Sequence, residues 1–221
     1  RELVDNDARI VKLLWPPFDV DRNEPGYIKG YPPGIRENGA QYTHAATWLV
    51  WALFELGEKS KANELFAFLN PITHGQSLEG AQRYVVEPYV LAGDVYSTGQ
   101  NCGRGGWSWY TGSAAWFWRI GVEQAIGCRV RWPYLEIDPC IPAAWPGCKI
   151  SLNLEFGTYD LEIVNNTEEY DGVVEVSVDG HPLLYTGLYP RLDLRKHNSH
   201  HKLRVVLGRR DQLEIDEAAG I

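Results

Sequence analysis

Two places in this 221-residue chain combine residue types that could hold an anion: His44, in the first turn or so of an apolar helix, and Thr111-Gly112-Ser113, at the start of another. The first turn of a helix offers free backbone N–H groups and the positive end of the dipole, and an imidazole there can add a further donor. A threonine hydroxyl followed by a glycine N–H converges on a phosphate or sulfate oxygen in the same way. Each has a plainer alternative, a histidine satisfied in a helical core for His44 and a simple N-cap for Thr111 or Ser113. The polar residues Arg36, Glu37, Asn38, Gln41, Tyr42 and Thr43 ahead of His44 favour a site, because a core helix rarely begins among so many polar groups. Both places end irregular Gly-rich stretches, 26–44 and 103–116. The second lacks the G-x-x-x-x-G-K-[ST] order and the preceding parallel strand of a nucleotide loop, so a nucleotide is disfavoured.

The aromatic residues Tyr27, Tyr31, Tyr42, Trp107, Trp109, Tyr110 and Trp116 suit the flat faces of a sugar ring, and Arg36, Glu37, Asn38 and Gln41 suit its hydroxyls. Aromatic packing between helices accounts for such rings equally well. Glu37, Glu87 and Asp94 are the carboxylates of the unusual segments and are candidates for an acid/base pair in glycoside chemistry, with their separation open. His74 and the 197–201 histidine cluster show no metal-ligand spacing, and we expect both to be structural or solvated.

The elements that must position these residues are helical first and strand-like later. Residues 6–14 suggest a helical face closed by Pro16-Pro17. Residues 40–56 predict the clearest helix, with the apolar residues Ala45, Trp48, Leu49, Ala52, Leu53 and Leu56 at i, i+3, i+4 spacing and Gly57 where a C-terminal glycine cap is favoured. A helix over 60–69, capped by Ser60, follows in an antiparallel hairpin, and a third covers 113–126 up to Gly127. Seven of the nine tryptophans precede Gly127, and period-two runs follow it at 135–138, 149–156, 159–165, 173–178 and 203–207, which places a domain boundary there. Turn signals stand at Gly157-Thr158, Asn165-Asn166 and Asp179-Gly180. The expected class is α+β, with helices over 1–127 and a small antiparallel β domain over 128–221.

Bulk composition narrows the function. A net charge of −8 argues against a nucleic-acid partner. Four cysteines without a C-x-x-C pair predict free thiols in a reducing, cytoplasmic setting. No apolar run approaches the ~20 residues that span a bilayer. The lack of any methionine and the start at Arg1 suggest a piece of a longer polypeptide.

Six ordered motifs, PPFD at 16–19, GYIKGYPPGIRENGAQYTHA at 26–45, NPITH at 70–74, EPYVLAGDVYS at 87–97, GRGGWSWYTGSAAW at 103–116 and IDPCIPAAWPG at 137–147, resemble the C-terminal third of glycoside hydrolase family 94. That family holds inverting β-glucoside phosphorylases and the phosphorylase-like region of cyclic β-1,2-glucan synthases, and the wording here is closer to the synthase branch. The resemblance implies the last helices of an (α/α)6 barrel over 1–127 and a C-terminal β domain over 128–221. It implies that His44, Thr111 and Gly112 hold the attacking phosphate and that Glu37, with Arg36, Tyr31 and Gln41, faces the sugar. It implies no cofactor, inorganic phosphate as co-substrate, and a general-acid aspartate in an upstream segment, so that no catalytic acid lies in this chain. The expected partners are a β-linked glucan or disaccharide, phosphate, the upstream part of the same protein and a second copy in a homodimer. The alternative is a non-catalytic module that binds glucan or sets product length in a synthase, and a weaker one is a hydrolase using Glu37 or Asp94 with water.

Overall fold

The structure, a computed structural model, describes residues 2–19, 24–109, 111–167 and 169–210. The chain divides into two compact units, Arg1–Ile120 and Gly121–Ile221.

The first unit opens on an antiparallel ribbon, β1 (Val4–Asp5) and β2 (Ile10–Val11), where residues 6–14 predicted a helix. The Asp5 carboxylate accepts the Ala8 N–H at 3.0 Å and Arg9 takes a left-handed φ of 53°, so Asn6 and Asp7 turn the chain back. A short strand β3 (Gln41–Tyr42) leads directly into α1 (Thr43–Glu55). Gly57, at φ +77°, ends that helix in the left-handed conformation that favours glycine. In α2 (Lys59–Leu69) the N-cap position falls on Glu58, so Ser60 lies inside the helix rather than capping it. Two short helices follow, α3 (Pro71–His74), capped by the Asn70 side chain, and α4 (Leu78–Tyr84), capped by Ser77. Then come the strand β4 (Asp94–Val95) and the helix α5 (Thr111–Arg119). The helix expected over 113–126 changes character at Ile120, where a π-helical stretch runs to Ala125 and the Ile126 N–H reaches the Gly121 carbonyl at 2.9 Å.

Helix α1 packs against α2 and α5, and buries Thr43, Ala46, Thr47, Val50 and Phe54. The apolar residues spaced i, i+3, i+4 lie mainly on another side, where Trp48 is 54% and Leu56 75% exposed. The helix is apolar on most of its circumference, so periodicity alone does not say which face is covered here.

The second unit holds β5 (Cys128–Arg131), β6 (Tyr134–Ile137), β7 (Gly147–Leu154), β8 (Gly157–Asn165), β9 (Gly172–Val178), β10 (His181–Pro182), β11 (Arg191–Asp193) and β12 (His200–Gly208). A three-stranded antiparallel sheet has the order β11-β6-β5, and a five-stranded sheet the order β10-β9-β12-β8-β7. The larger sheet is mixed rather than antiparallel: β12 runs parallel to β8, Leu203 opposite Leu161, and antiparallel to β9. The long path from β8 to β12 permits this, because only a tight hairpin forces antiparallel pairing. The β7–β8 register sets Leu154 opposite Gly157, so the turn is Glu155-Phe156 and not Gly157-Thr158. Asp179 and Gly180, at φ 51° and 81°, form the turn expected of them. Alternating residues of the central strands, Tyr159, Leu161 and Ile163 with Leu203, Val205 and Leu207, build one buried core with Leu135, Ile137 and Leu192.

Candidate functional site

Strand β4 organises both Gly-rich loops. On one side it pairs with β3, Tyr42 opposite Asp94 and Gln41 opposite Val95, and the Thr43 N–H bonds the Gly93 carbonyl at 2.9 Å. This fixes the first residue of α1, and with it His44. On its other side lies the 103–109 loop: the Gly106 N–H bonds the Asp94 carbonyl at 2.9 Å, Tyr96 N–H bonds Arg104 at 2.9 Å, and Gly93 N–H bonds the Trp107 carbonyl. The approach needs glycines. A Cβ on Gly105 would stand 2.2 Å from the Val86 side chain, and one on Gly106 2.2 Å from Asp94 Oδ1.

The 26–42 loop is held by Asn38, which is fully buried. Its carboxamide donates to the carbonyls of Phe18 at 2.8 Å and Tyr31 at 2.7 Å and accepts the Phe18 N–H at 2.7 Å. A tight turn closed by Asn38 N–H to the Ile35 carbonyl at 3.0 Å puts Arg36 and Glu37 at its corner, with Arg36 at a left-handed φ of 50°. The Arg36 guanidinium lies over two rings, 5.8 Å from the centre of Tyr31 and 5.0 Å from that of Trp107, one from each loop. Glu37 is half-buried, and its Oε2 is a buried acceptor without a hydrogen bond among the described residues. Such an atom suits a hydroxyl donor of a ligand.

Asp94 is 1% exposed. Its Oδ2 accepts the Arg36 N–H at 2.9 Å and its Oδ1 accepts the Trp107 N–H at 3.3 Å. Burial pushes its carboxyl above the ordinary carboxylate value, with Glu37 adding to the push, while the two backbone N–H groups and the Arg36 charge oppose it. Both oxygens are thus committed to the fold, which leaves Asp94 poorly placed to handle a substrate proton.

The starts of α1 and α5 converge. A Cβ on Gly112 would meet the His44 ring at 3.4 Å from Cε1 and 3.5 Å from Nδ1, so the imidazole lies against the glycine backbone. His44 is half-buried and stands edge-on to Trp48, ring centres 5.0 Å apart. Thr111 is the first residue of α5 and is exposed; Ser113 is buried in the same turn, and Tyr110, which precedes them, lies outside the described residues. Beside Thr111 opens a cavity of about 450 Å³ whose walls include Pro71, Tyr89, Leu91, Trp109, Ala114 and Phe117. Trp109 and Tyr89 meet edge to face at 6.2 Å and are 65% and 75% exposed.

The structure thus brings His44 to Gly112, and Tyr31, Arg36 and Trp107 to one another. It turns Gln41 away: that side chain is 1% exposed and its Oε1 accepts the Val11 N–H at 2.9 Å, tying β2 to the loop. His74 stacks on Tyr84 with ring centres 4.4 Å apart and bonds the Phe68 carbonyl at 2.7 Å through Nε2. His200 and His201 pair with Asp160 at 2.6 Å and Asp179 at 2.7 Å. No group of three His, Cys, Asp or Glu among the described residues could hold a metal ion. The organising roles of Asp94 and Asn38 were not legible from residue type alone; the Gly-Gly ahead of Trp107 was the available sign of a close approach.

Comparison with known proteins gives these loops relatives. The family described as "Glycosyl hydrolase 94 superfamily, catalytic domain" matches residues 2–127. The chain is 46% identical over 176 residues to the cyclic beta-(1,2)-glucan synthase NdvB of Rhizobium meliloti (strain 1021), covering 80% of this chain and 6% of that protein. It is 30% identical over 166 residues to an N,N'-diacetylchitobiose phosphorylase of Vibrio furnissii, covering 75% of this chain and 20% of the relative. With a solabiose phosphorylase of Paenibacillus borealis it shares 28% identity over 168 residues, 76% of this chain and 22% of the relative. The chain therefore spans a fifth or so, or much less, of the length of these relatives. The match over 2–127 contains both loops and both helix starts, and by it the chain belongs to the glycosyl hydrolase 94 superfamily.

Proposed function

We propose that this chain is the phosphate-holding part of an inverting β-glucan phosphorylase, in which inorganic phosphate cleaves a β-glucosidic bond to give α-glucose 1-phosphate. The observation that carries this is the contact between His44 and the Gly112 backbone where α1 and α5 begin. Two helix N-termini, an imidazole and the Thr111 hydroxyl then face one oxyanion. Names of relatives support the chemistry, two of the three compared being phosphorylases. The identity to a cyclic β-(1,2)-glucan synthase suggests the phosphorylase region of such a synthase as the setting, on the cytoplasmic face of a membrane.

In this mechanism a phosphate oxygen attacks C1 of the terminal glucosyl unit from the face opposite the leaving oxygen. The C1–O bond breaks with its electron pair passing to that oxygen, which takes a proton from a carboxylic acid outside this chain. One acid suffices, since phosphate takes the place of a base-activated water. His44, Thr111 and the helix starts stabilise the phosphate, and Glu37, through its open Oε2, with Arg36 and Tyr31, meets the sugar. Gln41 positions the loop from below. No cofactor enters.

The exposed side of α1, with Trp48, Leu49 and Leu56, supports an (α/α)6 barrel completed by upstream helices, with the residues after about 127 as a C-terminal β domain. The 221-residue chain alone is then inactive. The test is the full-length protein with β-1,2- and β-1,4-glucan: glucose 1-phosphate should appear only when phosphate is supplied, and His44→Ala and Thr111→Ala should each raise the phosphate KM by about 10-fold or more. Equal rates of glucose release with and without phosphate would overturn it in favour of hydrolysis. Unchanged product size from a synthase carrying both alanines would favour a glucan-binding module.

A further inference from the structure

We propose that Asp94 is a positioning residue whose carboxylate clasps the two loops together, so that the sugar-facing corner and the phosphate-facing helix start share one geometry; this rests on the roles proposed above for Glu37, Thr111 and Gly112. The two oxygens divide the task. Oδ2 takes the N–H of Arg36, at the strained corner that presents Glu37, and Oδ1 takes the N–H of Trp107, four residues before Thr111. The backbone of the same residue pairs with Tyr42 on one side and Gly106 on the other. Asp94 thus touches the sugar loop, the lead into His44 and the lead into Thr111, while its side chain is sealed from solvent. A buried carboxylate costs heavily unless its lone pairs are engaged, and here the engaging donors are backbone groups of the two functional loops. Gly106 completes the clasp from the other side, because any side chain there would occupy the space of Oδ1.

Two variants break the clasp differently. In Asp94→Asn the carboxamide keeps one acceptor oxygen, and its NH2 opposes whichever loop N–H is left. In Gly106→Ala the charge stays but the methyl displaces the carboxylate. Assayed in the full-length protein, each should raise KM for phosphate and for β-glucan together, by about 10- to 100-fold, as expected of misplaced binding groups. Glu37→Gln should move the glucan KM alone and Thr111→Ala the phosphate KM alone. A merely structural loss would lower the active fraction, and so kcat, at unchanged KM; that result, or a change in KM for one substrate only, would overturn the proposal.

Amide exchange of the folded full-length protein reads the clasp without turnover, so its outcome is separate from whether the enzyme uses phosphate. Arg36 and Trp107 amides should exchange as slowly as the β3–β4 pair in the wild type and should speed up in either variant. If neither variant folds, wild-type exchange decides: protection at both amides upholds the clasp, and loop-like exchange at either one refutes it.

Discussion

At the scale of single residues, the site is a set of exceptions to ordinary backbone and burial rules, each compensated nearby. Arg36 in the left-handed region costs on the order of 1 kcal/mol, which its N–H bond to Asp94 and its stacking over Tyr31 and Trp107 offset. His74 shows the opposite case, a histidine kept neutral for structure. Burial holds its imidazole below the ordinary 6.5, with Arg9 adding to this and the Phe68 carbonyl opposing it. Its folded state resists protonation, so its contribution to stability is complete above about pH 6.5 and is lost as pH falls below that value. We expect urea midpoints of the protein to fall between pH 7 and pH 5, and His74→Gln to flatten that part of the profile; an unchanged slope in the variant would contradict the assignment.

Among the elements, α1 is the most instructive. Its two apolar faces make opposite predictions: Val50→Lys, at a fully buried position, should prevent folding of this unit, whereas Leu49→Lys, on the exposed side, should change the stability of the 221-residue chain by less than about 0.5 kcal/mol. In the full-length protein the Leu49→Lys change should be severely destabilising, measured as loss of soluble, cooperative unfolding, if upstream helices cover that side. The sequence made α1, α2, α5 and four of the longer strands legible, because each carries an apolar period or a clear terminal signal. It hid what depends on neighbours. The helix expected over 6–14 became a ribbon since Asp5 captures a local N–H, and the buried side of α1 was ambiguous because apolar residues surround it. The two loops were visible through glycine, proline and aromatic density, but β4, the two-residue strand that joins them, has no period to read.

For the molecule as a whole, the two units place different demands on the chain. The first unit carries both loops and the proposed chemistry, and its order rests on short strands and buried polar hubs such as Asn38, Gln41 and Asp94. The second unit rests on an apolar core, where Leu203→Ala should cost about 2–5 kcal/mol by leaving a cavity between strands, measurable as a lowered melting temperature of that transition. Its strand order has a consequence for the birth of the protein. Because β12 lies between β8 and β9, the strand that joins these two follows both of them in the chain, and until residue 208 has left the ribosome the facing edges of β8 and β9 are unpaired in addition to the sheet's two outer edges. A chain stopped after Ser199 should therefore accumulate as aggregate rather than as a smaller folded protein, and the interval between making β9 and making β12 is when a chaperone would be needed.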